Sequence, residues 1–474
     1  MDGAAADVAV PIELPSEVGV VNVGLGLLAD AVRSQGRPVV QVDWRIPGGG
    51  DAETVAMLRR LFGPRAAAVD AANAEVVRRL DEGVPMLTSV EPAASVLPDL
   101  GGRTVLHCGP PIAWEEMCDP LRRSVRAAVV VEGWAECPAA AGALLDRGDV
   151  LLQPANHQRV VVPMATAIGP SSPLQVVDNI AGGTRAFSPI NQGPGDAPWF
   201  GMDSPAAIER LRMVRDVVGP VLAAVVRSAG PIDLTSLAGQ GVQMGDDVHV
   251  RVQATTNLLV RQLLPHLAAV EGPERVETAR FLSQNHLLFL NLAMAAARSL
   301  TEWASQVEGS SVVTSMARNG TTFGIRLAGR DRWFVDAAPP IGHALYHAGY
   351  GPEVGAPDIG DSAVLELVGL GGAAAAGSPS VAAFLGGTMA DALAATEAMD
   401  RICAGRSTRI RLPFSGMRGT PLGVDVRRVV ELGITPHITT GILHASAGTG
   451  QVGAGVAEAP LGPFRAALAA LDQD

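Results

Sequence analysis

The stretch QMGDDVHVRVQATTN (243–257) brings together side chains that transfer protons or bind small polar ligands. The alternating valines taken alone indicate a strand, but the apolar residues through Leu263 recur at three- and four-residue steps, the period of a helix. A helix would place on one narrow face Asp246, His249, Gln253 and Asn257. We predict that this face binds a ligand, with His249 as proton-transfer residue and Asp246 orienting its imidazole. A polar seam between helices and a plain surface remain as alternatives.

A second candidate follows a predicted strand in QPANHQRVVVPM (153–164), which contains Asn156, His157 and Arg159. Sites in parallel α/β proteins lie at the carboxyl ends of strands. We therefore predict catalytic roles for Asn156 and His157. An isolated histidine is more often structural, which is the alternative here.

The C-terminal third contains arginines and glycine-rich loops suited to anions. Arginine pairs with carboxylate or phosphate through two parallel hydrogen bonds, and successive backbone N–H groups can cradle either anion. The predicted anion-binding residues are Arg251, Arg318, Asn319, Asp361, Arg418, Gly419, Thr420, His444, Gly448 and Gly450. We expect His249, Arg318 and Arg418 to converge on one small pocket between domains. Asn319 has an alternative role, because Asn-Gly is also a hairpin signal.

The segment GLGLLA (24–29) follows a predicted strand and opens a predicted helix, as in dinucleotide-binding units. Gly24, Gly26 and Asp43 are the residues that would bind NAD(P) there. The same turn is also needed merely to close a strand onto a helix, so we expect the topology rather than the cofactor. The sequence contains neither the P-loop motif GxxxxGK[ST] nor the α/β-hydrolase motif GxSxG, so it supports neither of these two kinds of site.

Composition excludes several classes of protein. The formal net charge of −12 opposes a nucleic-acid groove, which needs clustered Lys and Arg. No apolar run reaches the roughly 18 residues of a membrane helix, and the N-terminus has no export signal. Four widely spaced cysteines predict neither zinc nor disulfides. We therefore expect a cytoplasmic protein without a metal and without membrane or nucleic-acid partners.

The pattern of elements predicts an α/β chain in three domains. Strand and helix patterns alternate over 1–185, which favours a Rossmann-like domain with a parallel sheet. Residues 200–305 are mostly helical in pattern, and 306–474 are mixed α+β. The apolar, glycine-interrupted segment 363–387 predicts buried core or a subunit interface.

Long motifs in this sequence resemble the AllG (YlbE-like) family. The resemblance runs in order from about residue 18 to 465 and rests on VVNVGL, VVQVDWRIPGGGD, LHCGPPIAWEEMCDPLRRSV, EGWA, MGDDVHVR, RNGTTFGIR, GYGPEVGAPDIGDSA, RGTPLGVDV and ITPHITTGILHASAGTGQVGAG. It implies a Rossmann-like N-terminal domain, a helical insert and α+β parts.

The resemblance also implies an activity and a partner. Family members accompany an FdrA (AllF)-type protein related to acyl-CoA synthetases, often with a carbamate kinase. The implied enzyme is an oxamate carbamoyltransferase of allantoin catabolism, which exchanges carbamoyl phosphate and oxamate with oxalurate and phosphate. We expect a small anionic substrate and a homo- or hetero-oligomer. A non-catalytic scaffold for the FdrA-like partner and an NAD(P)-dependent oxidoreductase are the alternatives.

Overall fold

The computed structural model describes residues 19–42 and 44–473. Its helices are α1 (Gly26–Arg33), α2 (Ala52–Phe62), α3 (Ala66–Glu82), α4 (Ala93–Val96), α5 (Asp119–Val131), α6 (Pro138–Asp146), α7 (Pro205–Met213), α8 (Gly219–Ala229), α9 (Leu234–Gln243), α10 (Gln253–Ala268), α11 (Glu274–Gln284), α12 (Leu288–Ala304), α13 (Pro379–Leu385), α14 (Met389–Ile402), α15 (Val426–Leu432) and α16 (Leu461–Asp472). Within these ranges no helix is long and apolar enough to span a bilayer.

The strands alternate with these helices in a mixed α/β architecture. They are β1 (Val20–Val23), β2 (Val39–Val42), β3 (Pro85–Pro92), β4 (Thr104–His107), β5 (Leu151–Pro154), β6 (Ala167–Ile168), β7 (Pro173–Asn179), β8 (Thr184–Pro189), β9 (Ile232–Asp233), β10 (Val313–Asn319), β11 (Thr322–Leu327), β12 (Phe334–Ala337), β13 (Ile341–Tyr346), β14 (Ile359–Gly360), β15 (Cys403–Leu412), β16 (Arg418–Val424), β17 (His437–Leu443) and β18 (Gln451–Glu458).

The N-terminal strand–helix–strand unit has the predicted local topology. Strands β1 and β2 pair in parallel from Val20 opposite Val39, and α1 connects them. Gly24 enters the turn at a φ of 129°, which a glycine adopts without steric cost. In the part of the chain that the structure describes, this sheet has two strands. Asp43 lies outside the described residues.

The other strands of the first 190 residues do not extend that parallel pair. Strand β3 is antiparallel to both β7 and β9, while β4 is parallel to β5 and antiparallel to β6. The run AAVVVEG (127–133), which the pattern predicts as a strand, falls mainly in helix α5. Short apolar runs suit buried strands and buried helices equally. A Rossmann-like arrangement is therefore not confirmed, whereas the mixed α/β class is.

Helix α12 is the central element for the site. Nearly all its residues are buried, and it packs against β7, β8 and α3 as well as the tight turns that follow Asp361. Residues 361–378 are themselves buried. The predicted interface segment 363–387 is therefore largely core of this chain, because its alanines and glycines allow close backbone packing.

Three antiparallel sheets complete the C-terminal part, in the orders β12–β11–β10–β14, β13–β18–β17 and β15–β16. Strand β10 lies at the centre of the first sheet and next to α12. This packing brings the β10–β11 hairpin against the turn that follows β5.

Candidate functional site

A polar cavity of about 430 Å³ opens between the turn after β5, helix α12 and the β10–β11 hairpin. We call it the arginine cavity. Four arginines and three acids line it, namely Arg159, Arg298, Arg326, Arg330, Glu302, Glu308 and Asp331. Asn156 and His157, two of the predicted catalytic residues, lie in the same lining.

Local sequence explains how these side chains reach the cavity. Asn156 and His157 occupy a tight turn directly after β5, and Arg159 ends that turn in the left-handed region at a φ of 60°. Arg298 lies on α12 among apolar neighbours, whereas Arg326 lies on the buried strand β11. All the neighbouring positions are packed in the core, so these two arginines cannot simply turn to solvent.

The two buried guanidinium groups lack partners for part of their hydrogen bonds. Arg298 is 4% exposed, and its Nη2 contacts Glu302 at 2.7 Å while its Nε has no partner. Arg326 is 9% exposed, and neither its Nε nor its Nη2 has a partner. Its guanidinium carbon stands 4.3 Å from the ring centre of Trp333. Unpartnered buried donors are costly, so an anion in the cavity is favoured.

Burial lowers the pKa of both arginines. Burial, and then the nearby charge of Arg298, lowers the pKa of Arg326 to about 10. Burial also lowers the pKa of Arg298. With a pKa of about 10, Arg326 stays charged at neutral pH. The cavity therefore presents two arginines whose hydrogen bonds are only partly satisfied.

A buried carboxyl group outside the cavity lining, that of Asp361, is close enough to act on the pKa of Arg298 and Arg326. Asp361 accepts hydrogen bonds from the N–H groups of Gly109 at 2.8 Å and Val162 at 3.0 Å. Burial raises the pKa of Asp361 to about 7 against the opposing effect of those bonds. The amide of Asn156 is close enough to act on that pKa, although its Nδ2 has no partner in hydrogen-bond geometry.

His157 is a histidine in the lining of the cavity. It is exposed, and desolvation followed by the charge of Arg326 lowers its pKa. A lowered pKa keeps the imidazole neutral at physiological pH, when it can accept a proton.

The stretch around His249 is a loop, which corrects the predicted helical face. Helix α10 begins at Gln253, and the Asp246 carboxylate accepts from the N–H of Thr255 at 2.8 Å. Val248 adopts a φ of 60°, which a helix would not allow. Asp246 also contacts Arg251 at 2.9 Å rather than orienting the imidazole.

Glu366 orients His249 instead. The imidazole Nδ1 lies 2.8 Å from Glu366 Oε1, and both side chains are buried. His249 also lines a small recess of about 50 Å³, which lies between strand β18 and the turn that contains Pro163 and Met164. We call it the His249 recess. Its lining contains neither Arg318 nor Arg418.

The predicted pocket of His249, Arg318 and Arg418 is therefore wrong. Arg318 is fully buried, and Asp358 holds its Nε and Nη2 at 2.7 Å each. Its Nη1 donates to the carbonyl of Gly360. Arg418 is half exposed and lies 3.7 Å from Asp400 on another face.

The remaining predicted site residues are not among the residues that line either cavity. Asn319 caps the β10–β11 hairpin by accepting from the N–H groups of Thr321 and Thr322, the turn role left open above. The others are Gly419 and Thr420 on β16, His444, Gly448 and Gly450 in the β17–β18 connection, and Gly24 and Gly26 in the exposed first turn. A Cβ at Gly448 would meet Arg123, and one at Gly450 would meet Met202, so these glycines permit close packing.

Sequence reasoning missed Arg298, Arg326 and Glu366. Each is a lone charge within an apolar run, and such a residue needs a partner or a ligand once buried. Within residues 19–42 and 44–473, no group of three or more His, Cys, Asp or Glu side chains could hold a metal ion.

Comparison with known proteins agrees with the motifs. The family described as "Oxamate carbamoyltransferase subunit AllG" matches residues 150–362. The protein of that name from Escherichia coli (strain K12) is 41% identical over 84% of this chain and 97% of its own length. The chain belongs to the AllG family. The AllG match includes the whole lining of the arginine cavity, whereas the His249 recess also uses residues of β17 and β18 beyond the match.

Two further relatives extend the AllG comparison. "Uncharacterized protein YahG" from the same organism is 34% identical over 95% of this chain and 96% of its own length. A crystal structure of a conserved protein of unknown function from Enterococcus faecalis V583 superimposes with a TM-score of 0.83. It is 34% identical and covers 85% of this chain and 97% of the solved one.

Proposed function

We propose that this chain is a subunit of an oxamate carbamoyltransferase and that its arginine cavity binds carbamoyl phosphate. The observation that carries the proposal is the pair of buried, incompletely partnered guanidinium groups of Arg298 and Arg326. Carbamoyl phosphate is a small dianion, and charge-assisted hydrogen bonds to phosphate oxygens are among the strongest in proteins. The name of the 41% identical relative supports the same class of reaction.

The proposed chemistry needs a base and an anion clamp. The amide nitrogen of oxamate attacks the carbonyl carbon of carbamoyl phosphate, and the amide proton passes to His157. The bond from that carbon to the phosphate oxygen breaks, and phosphate leaves with the electron pair, which gives oxalurate. An amide is a poor nucleophile, so proton removal by a neutral imidazole contributes to the rate. Arg298 and Arg326 stabilise the charge on the leaving phosphate.

We propose an FdrA-like protein as the partner of this subunit. Exposed apolar side chains on the N-terminal unit support assembly with another chain, since such patches mark contact sites. They include Leu27, 75% exposed, Val40, 63% exposed, and Trp44, 62% exposed. A parallel sheet of two strands is also unusual by itself, because parallel sheets are normally covered on both faces.

The test is reconstitution of the chain with its FdrA-like partner, carbamoyl phosphate and oxamate. Oxalurate is identified by mass spectrometry, and phosphate release gives the rate. We expect Arg298→Met to lower kcat/KM by about 100- to 1000-fold, the usual effect of removing a donor to a developing charge.

The matched control is Arg332→Met, which removes an exposed arginine of the β11–β12 loop outside the cavity lining. It should keep full activity. Absence of oxalurate with wild-type protein would overturn the proposal, as would full activity of Arg298→Met. Carbamoyl phosphate that binds only when the partner is present would instead favour the scaffold role.

A further inference from the structure

The His249 recess has the features of a second ligand site, separate from the arginine cavity. Glu366 occupies Nδ1 of the imidazole, which leaves Nε2 for a ligand in the recess that His249 lines. Glu366 Oε1 also accepts from the N–H groups of Gly372 at 3.3 Å and Thr439 at 3.2 Å. Its Oε2 is buried without a partner. His249 is thus the side chain that Glu366 fixes, and the imidazole cannot turn without losing its hydrogen bond to that buried carboxylate.

Charge around the imidazole disfavours an anion. Asp247 is completely buried and accepts from the backbone N–H of His249 at 3.2 Å and from Thr439 Oγ1 at 2.9 Å. Two buried carboxylates, Asp247 and Glu366, therefore approach His249. Two nearby arginines do not balance them, because Arg251 is paired with Asp246 and Arg318 is paired with Asp358. A neutral ligand that donates a hydrogen bond to Nε2 fits this field, whereas a carboxylate would be repelled.

The size and the lining of the His249 recess further restrict which ligands can bind there. The recess of about 50 Å³ holds a group the size of about three to five waters, taking about 10–15 Å³ for each. Its walls include the rings of Trp199 and Phe200, and its polar groups besides His249 are Ser362 and Gln451. Aromatic side chains together with polar groups that can donate and accept hydrogen bonds suit a small amide.

We propose that the His249 recess binds the carboxamide group of a small neutral molecule, with an amide N–H donating to His249 Nε2. Ser362 and Gln451 are placed to bind the amide oxygen. The site stands on its own contacts and does not require the proposed transferase activity.

The experiment uses acetamide and acetate as probes, because they have the same shape and differ in charge. Binding to the full chain without partner is followed by the NMR signals of the Trp199 indole and the His249 ring. We expect acetamide to bind at least tenfold more tightly than acetate. His249→Ala should weaken acetamide at least tenfold.

Two further variants keep the test decisive. Ala454→Leu leaves His249 intact and fills the recess from strand β18, so it should also weaken acetamide at least tenfold even if His249→Ala fails to fold. Arg326→Met should bind acetamide normally while losing phosphate. Acetate binding equal to acetamide, or acetamide binding unchanged in Ala454→Leu, would overturn the proposal. A result in which phosphate binding alone is lost and acetamide binding stays normal concerns the proposed transferase function and supports the present proposal.

Discussion

Replacing Arg326 by methionine should stabilise the empty protein while removing its affinity for phosphate. The fall in the pKa of Arg326 from its ordinary value to about 10 corresponds to a cost of about 3 kcal/mol for keeping the charge, at about 1.36 kcal/mol per pKa unit. Two unpartnered N–H donors, at about 1–3 kcal/mol each, give a similar figure. Loss of the contact with Trp333 offsets about 0.5–2 kcal/mol. We expect a net gain of about 1–2 kcal/mol, because methionine fills much of the same space.

The assay is urea unfolding with and without phosphate. Phosphate at 100 times its dissociation constant should stabilise the wild type by about 2.7 kcal/mol, and Arg326→Met should show no such response. Arg332→Met is the control, because Arg332 is exposed and also stacks on a ring, 5.3 Å from the centre of Phe334. It should change neither stability nor the phosphate response appreciably.

A clear loss of stability in Arg326→Met, together with a wild-type response to phosphate, would refute this reasoning. That result would mean that the guanidinium serves the core and that anions bind elsewhere.

Two further perturbations test the buried carboxylates. Asp358→Asn should cost about 3–5 kcal/mol, since it leaves Arg318 buried without its counter-ion, whereas Glu209→Gln, in an exposed pair with Arg212, should cost less than about 1 kcal/mol; equal costs in urea unfolding would contradict the assignment. Folded Asp361 keeps its proton up to about pH 7, whereas unfolded Asp361 keeps it only up to about pH 3.8. The contribution of Asp361 to the free energy of unfolding is therefore complete below about pH 3.8 and is lost as pH rises through about 7. The unfolding free energy of wild type relative to Asp361→Asn should therefore fall by up to about 4 kcal/mol between pH 4 and pH 8, and a constant difference would show that Asp361 does not titrate in that window.

Local structure was predictable where one segment determines it. The Gly24 turn with its parallel strands and the Asn319 hairpin follow from residue types that adopt those conformations readily. The stretch around His249 shows the limit of this reasoning. Its spacing fits a helical face, yet Asp246 binds the first N–H groups of α10 from outside the helix. A carboxylate that caps a helix and a carboxylate on the helix face can have the same spacing in sequence. Only the backbone conformation distinguishes the two cases.

The site itself depends on distant segments. Asn156 and His157 could be proposed because they follow a strand, but their neighbours Arg298 and Arg326 come from a helix and a hairpin more than 100 residues away. A lone arginine in the apolar run LNLAMAAARSL signals a buried charge without saying what it faces. Sequence could therefore indicate the existence of these charges but not their convergence.

The contrast between buried Arg318 and the two buried arginines of the arginine cavity indicates which anion that cavity prefers. Arg318 on β10 has its donors occupied by Asp358 and Gly360, so it contributes packing and a fixed geometry. Arg326 on β11 and Arg298 on α12 retain between them three unpartnered N–H nitrogens. A carboxylate offers two oxygens in one plane, whereas a phosphate offers three terminal oxygens arranged around a centre. Phosphate can therefore bind both guanidinium groups at once, and the arginine cavity should bind phosphate more tightly than acetate. The His249 recess should instead prefer an uncharged ligand.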